Sequence, residues 1–200
     1  MLVGRFVQLE PLTLEHVDEI AAAVGDDRST YQWAPVPTNL ADAEATVKTR
    51  LRQRDNGAWM PFVQRRLADH AVVGMTNFLS IERWNGATGN PTSVEIGGTW
   101  LNPSAQRSPI NTEAKLLLLT LAFETWNVVR VQIKTDARNE RSRNAISRLG
   151  AQFEGMLRNF QAGNGDQGEG SPRDTAMFSV LPSEWPAIKE RLMRALDESP

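Results

Sequence analysis

The sequence predicts one mixed α/β domain, a mostly antiparallel sheet of about seven strands flanked by helices. Three observations carry this reading. Strand-like alternation and helical spacing trade places along the chain in the order βα(α)βββ and then αβαββ. No segment repeats and no linker-like stretch divides the chain, so the expectation is a single domain over residues 1–200. Hydrophobic residues make up 40% and charged residues 23%, the balance of a chain that buries one sizeable core.

Residues 6–12 alternate like a strand that Pro11 ends. Thr13 then caps a helix whose apolar positions are Leu14, Val17, Ile20 and Ala21, with His16, Asp18 and Glu19 facing outward. Residues 31–37 read as a loop. A second helix runs from about Ala41 to Arg54 and closes at Asn56-Gly57, its Arg- and Lys-rich face turned to solvent. A meander follows: residues 59–66, a turn at 68–70, residues 72–81, a loop at 84–91 and a strand at 93–101. Ser108-Pro109 opens a helix that continues to about Trp126, and its run of leucines leaves it no wet face. Residues 128–135 form a strand, and 142–149 a short helix stopped by Gly150. Residues 153–160 and 175–181 close the sheet around a glycine-rich, acidic tip at 163–172, and a last helix covers 183–196.

Composition also excludes function classes. A net charge of −2 offers no basic face for nucleic acid. The absence of cysteine removes disulfides, a thiolate nucleophile and thiolate metal centres. The start of the chain has no apolar run behind a basic segment, and no stretch approaches a membrane span. The expectation is a cytoplasmic protein with no membrane partner. His16 and His70 have no second ligand at metal spacing, so both are expected at the surface, with no metal.

The richest region is the strand, polar loop and helix start from Trp100 to Ala114. Ser108 suits the helix N-cap and Pro109 its first position, where a missing N–H matters least. The free amides and helix dipole favour an anion, and Arg107 adds a formal charge. The same pattern also suits an ordinary capped helix.

Several segments in this order resemble the GNAT acyltransferases, most closely the branch of ribosomal-protein N-terminal alanine acetyltransferases. Gln106 to Asn111 resembles the pyrophosphate loop Q/R-x-x-G-x-G/A. Glu95-Ile96-Gly97-Gly98-Thr99-Trp100-Leu101 resembles that branch's E-I-G strand, and Asn111-Thr112-Glu113-Ala114 its A-T-E-A helix opening. Phe123-Glu124, Val129-Arg130-Val131, Asn139-Glu140-Arg141-Ser142 and Leu149-Gly150 resemble further segments between Leu9 and about Leu181. Pro109 stands where the loop has glycine and Asn111 where it has a small residue, so one amide available to family members is missing.

The resemblance implies a GNAT-like fold with splayed central strands, acetyl-CoA or another short acyl-CoA as acyl donor, and a primary amine acceptor that is a small molecule or a protein N-terminus. A homodimer is compatible with it. It implies that strands around Trp100 and Val131 part to hold pantetheine, with backbone N–H near Trp100 or Leu101 meeting the oxyanion. Gln106, Arg107, Ser108, Ile110, Asn111 and Thr112 would take the pyrophosphate, and Asn139 the pantetheine arm. Arg143 and Arg148 would either meet the 3′-phosphate or stay solvated. Ser142 would protonate the departing thiolate, although it also suits a plain N-cap. Glu95, in an otherwise apolar strand, is the candidate base for the amine, the alternative being an outward or structurally paired carboxylate. The one tyrosine, Tyr31, lies far upstream, which leaves the acid role to Ser142 or solvent. Trp33 and Trp84 sit in loops that would flank the acceptor. The rival readings are a non-catalytic CoA-binding domain and a protein-interaction module on the same fold.

Overall fold

Alternation along the strands puts Val94 and Ile96, Val131 and Ile133, and Ala176 and Phe178 into one apolar core on one side of a sheet. The computed structural model describes residues 1–163 and 170–199, so the acidic tip expected at 163–172 lies largely outside the described residues. The strands are β1 (Leu2–Val3), β2 (Val7–Pro11), β3 (Met60–Arg66), β4 (Val72–Glu82), β5 (Ser93–Leu101), β6 (Arg130–Asp136), β7 (Gln152–Ala162) and β8 (Pro172–Val180). They form one sheet in the order β1-β2-β3-β4-β5-β6-β8-β7. The eighth strand, β1, is a two-residue pairing onto β2, too short to leave a periodic signal.

Helices α3 (Ile110–Thr120), α4 (Glu140–Leu149) and α5 (Trp185–Asp197) contribute Ile110, Leu118, Leu149, Ile188 and Leu192 to that core. Helices α1 (Val17–Val24) and α2 (Leu40–Asp55) close the other side around Ile20, Val47, Val63, Met75 and Trp100. Among the described residues no helix is long and apolar enough to cross a membrane.

Every pairing is antiparallel except β5 with β6, which is parallel and covers only Ser93↔Arg130, Val94↔Val131 and Glu95↔Gln132. Past Glu95 the two strands part, and these are the splayed central strands of the expected fold. A bulge in β5 adds a second distortion. Asn77 pairs with Gly97 but Met75 with Trp100, so β5 carries one residue more than β4. Gly98 takes the positive φ of 58° that this needs. Strict alternation groups Glu95 with Thr99 and Leu101. The bulge breaks that grouping: Leu101 joins Ile96 in the α3 core, while Trp100 packs with α1 and α2.

Three further expectations are corrected. His16 is buried, because its Nδ1 accepts from the Thr13 backbone at 3.0 Å and its Nε2 meets Glu10 Oε2 at 3.1 Å. Leu14, one of the expected core positions, is exposed because a 3-10 turn at Leu14–His16 precedes α1 and shifts the phase. The Arg- and Lys-rich face of α2 is not wholly solvated, since Arg50 is buried.

The apolar helix α3 carries two buried ionisable groups. Glu113 accepts from the backbone N–H groups of Arg5, Phe6 and Val7 at 2.6–2.8 Å and so pins the entry to β2. Gly4 has to be glycine there, since a β carbon would lie 2.2 Å from the Glu113 carboxyl carbon. Lys115 Nζ donates to Thr99 Oγ1 at 2.8 Å and has no carboxylate partner among the described residues. Burial pushes its ammonium from 10.5 down to about 7.

Between those pH values the unfolded chain holds the Lys115 proton and the folded chain does not. Stability should therefore rise with pH, by up to about 1.4 kcal/mol per unit from this group. Chemical denaturation from pH 7 to 9 should show this rise, and Lys115→Met should flatten it while raising stability at pH 7.

Candidate functional site

Where β5 and β6 part, the strand ends feed the two segments that sequence reasoning singles out. β5 leads through a 3-10 turn at Pro103–Ala105 into residues 106–109 and α3. β6 leads through Ala137 and Arg138 into α4. The two segments touch: Arg141 Nη2 donates to Gln106 Oε1 at 2.5 Å. Arg141 was not among the expected site residues, although it lies inside the Asn139–Ser142 segment.

In the first segment Pro109 is the helix N-cap and α3 begins at Ile110, one residue later than a Ser108 cap would give. Ser108 instead turns its hydroxyl back to Ala105 O at 2.6 Å. Arg107 has a left-handed φ of 59° and an exposed side chain. The backbone N–H groups of Arg107, Ser108, Asn111 and Thr112 have no acceptor among the described residues, and that of Ile110 reaches Ser108 Oγ only at 3.4 Å. Successive free amides at a helix start, with an arginine beside them, make a concavity for phosphate oxygens. Pro109 subtracts one donor without closing it.

Gln106 works differently from expectation. Its Nε2 donates to Thr30 Oγ1 at 2.9 Å and to Leu101 O at 2.8 Å, so its side chain ties the loop down rather than facing a ligand. The side chains of Trp100 and Leu101 are core packing, and Trp100 meets Tyr31 edge-on with centroids 6.0 Å apart. What these two residues can offer a ligand is backbone beyond the β5–β6 pairing. Tyr31 is buried and donates to Val24 O, and burial pushes its hydroxyl above the usual range.

In the second segment Asn139 Oδ1 accepts from Ser142 N at 3.0 Å, so Asn139 is the N-cap of α4. Ser142 is not the cap. It sits in the first helical turn, half-buried, with its hydroxyl unpartnered among the described residues. Arg148 is exposed at the far end of α4, and Arg143 Nη1 donates to Ala137 O at 3.2 Å. Neither arginine hydrogen-bonds to residues 106–112.

On the α2 side of the sheet stands Glu95, 2% exposed. It is not isolated in apolar surroundings. Lys134 Nζ donates to its Oε2 at 2.9 Å, and Ser80 Oγ lies at 3.5 Å. Its Oε1 has no partner among the described residues and lies 2.8 Å from where a Gly97 β carbon would stand. Leu79 Cδ1 stands 2.7 Å from the same point, so the absence of a side chain at Gly97 accommodates both Glu95 and Leu79. Next along β6, buried Asp136 pairs with Arg138 at 2.8 Å, which holds its carboxyl below the usual range. Arg138 in turn lies over the Trp33 ring, 4.7 Å from its centroid. Trp84 is exposed beside Thr92, at the paired end of β5 and β6. Trp33 and Trp84 therefore stand at opposite ends of β6 and do not flank one groove. Lys134 was missed, although Arg130, Gln132, Lys134 and Asp136 make a polar stripe on a central strand, which is itself a signal.

Residues 7–152 match the acetyltransferase (GNAT) domain family, a span that includes the splay and both segments at its mouth. The chain belongs to the GNAT acetyltransferases. With the family comes its activity, acetyl-CoA-dependent N-acetylation. A GCN5-related N-acetyltransferase from Brucella melitensis is 32% identical, with a TM-score of 0.84 over 98% of this chain and 84% of that one. Mycobacterium smegmatis RimJ in complex with CoA-disulfide shares the fold at 21% identity and TM-score 0.75, over 94% and 88%. So does the microcin C7 self-immunity acetyltransferase MccE in complex with acetyl-CoA and AMP, at 19% and 0.73, over 89% and 93%. No curated protein matches the chain.

The free amides of Arg107, Ser108, Asn111 and Thr112 and the exposed Arg107 side chain suit an anion. Arg107→Ala should weaken acetyl-CoA binding by several-fold or more, the loss of a charge-assisted contact worth about 1.5–3 kcal/mol. Titration calorimetry measures this, and an unchanged affinity would remove Arg107 from the site.

Proposed function

We propose that the chain acetylates a primary amine by direct attack in a ternary complex, with Glu95 as base and Ser142 as acid. The observation that supports this best is the parting of β5 from β6 just past Glu95. Backbone amides without an acceptor among the described residues stand at one side of its open end and Ser142 at the other. Acetyl-CoA supplies the activated acyl group as a thioester. The amides of residues 107–112 and Arg107 hold its pyrophosphate, and Asn139 positions the start of α4 beside the pantetheine arm.

The acceptor approaches from the α2 side. Lys134 occupies Glu95 Oε2 and leaves Oε1 to take the proton, directly or through one water, from the ammonium form of the amine. The neutral amine's nitrogen bonds to the acyl carbon as the carbon–sulfur bond breaks, and its second proton, like the one taken by Glu95, passes to solvent. Ser142 Oγ gives its proton to the departing thiolate and regains one from solvent. Without cysteine the chain has no thiolate on which to carry the acyl group, which favours direct transfer.

Glu95→Gln keeps the shape of the side chain and removes the base. It should lower kcat/KM by about 10²–10⁴-fold near neutral pH, with acetyl-CoA affinity almost unchanged. The deficit should shrink as pH rises, because more of the amine is already neutral; wild-type rates at pH 7 would leave deprotonation to solvent.

Since Asn139 caps α4, Ser142→Ala should cost little stability. Its turnover should nevertheless drop by about 10²-fold or more, measured at a pH where thermal melting shows the protein folded. Full-rate turnover would give the thiolate proton to water.

A further inference from the structure

Arg50 lies on the buried face of α2, in line with Ala43 and Val47. It belongs to an Arg- and Lys-rich helix, is 5% exposed, and has no carboxylate within 4.0 Å among the described residues. Its hydrogen bond within the chain is Nη1 to Asn77 Oδ1 at 2.7 Å, and a guanidinium carries several more N–H donors. Asn77 is itself fixed, since Nδ2 donates to Gly97 O at 2.9 Å and contacts Gly98 O at 3.4 Å. The asparagine therefore presents the arginine to the bulge of β5.

The glycine pair makes that placement informative. A β carbon at Gly98 would lie 3.7 Å from Arg50 Nη1, and one at Gly97 would lie 2.8 Å from Glu95 Oε1. Gly98 is exposed. The Gly97-Gly98 wall is thus bordered by Glu95 at one residue and Arg50 at the next, and it opens to solvent beside the arginine. A buried cation with no counter-ion is costly unless an anion completes it. Burial alone already brings the Arg50 guanidinium down to about 10.

We infer that Arg50 receives a carboxylate of the acceptor, so that the acceptor is a small amino-carboxylate whose amine reaches Glu95. A planar carboxylate matches the guanidinium fork and supplies one charge to one cation. A phosphate dianion would bring roughly two charges to that single cation. The inference rests on the reading that the α2 side of Glu95 receives the amine.

The test uses the full chain, acetyl-CoA, and matched amines: L-amino acids with their carboxamides, and 4-aminobutyrate with 1-aminobutane. At least one acid should be acetylated with kcat/KM about tenfold or more above its uncharged mate. In Arg50→Gln that ratio should fall to about one, and in Arg50→Lys, which keeps the charge and loses the fork, to an intermediate value. A readout without turnover is the thermal shift given by the N-acetylated acid, which should exceed that of its amide in the wild type and not in Arg50→Gln. Equal rates for acids and amides in the wild type would overturn the assignment without any variant. So would an unchanged ratio in Arg50→Gln, or acetylation of no panel member by a protein that binds acetyl-CoA. A wild-type protein that does not bind acetyl-CoA by calorimetry would instead sink the transfer reading itself, and the inference with it.

Discussion

Past Glu95 the backbone of β5 loses its partner on the β6 side, and polar groups along that edge no longer have a strand to answer them. The sheet tolerates this because the break is held from both ends. Gln106 draws the turn after β5 back onto Leu101 O, and Arg141 joins that glutamine to the start of α4. Beneath, α3 is anchored to the first strands through the three backbone amides on Glu113. Contacts outside the slot thereby tie together the segments at its mouth. On the proposed reading an extended thioester lies in that slot, among backbone groups that would otherwise pair with a strand.

The bulge at Gly97-Gly98 decides which chemistry meets the slot. One extra residue in β5 moves every side chain beyond it to the opposite face. Trp100 is thereby sent into the α1–α2 core and Thr99 toward Lys115 on α3. Glu95, before the bulge, stays on the α2 side with Lys134, while the glycines leave that face without side chains. Asn77 fastens the bulge and holds Arg50 in the same step. A feature of backbone geometry has become an electrostatic one, with a carboxylate and a guanidinium facing one short length of strand.

Much of this was legible in the residues. Strands β3, β4 and β5 and helices α2 and α5 follow from alternation, helical spacing and cap residues within a few positions, because those patterns reflect local burial. The position of the polar loop before α3 follows from Pro109 and the apolar run behind it, to within one residue of the helix start. Other details failed for physical reasons. Asn139 and Ser142 both suit an N-cap, and only the course of the chain after β6 selects the asparagine. His16 lies on the polar side of its helix by sequence, but Glu10 on the neighbouring strand draws it inward.

The sequence by itself determined the fold class, the family and the segments that surround the slot, since each depends on periodicity or on residues close together in the chain. The tertiary structure decided how those segments are used. Glu95 and Lys134 are 39 positions apart, Arg50 and Asn77 27 apart, and Gln106 and Arg141 35 apart. Such pairs form only when the register of the sheet, shifted by one bulge, brings their strands and helices together. Periodicity identifies the face a residue prefers, but a buried charge goes where its partner is, and the partner's position is a property of the folded sheet.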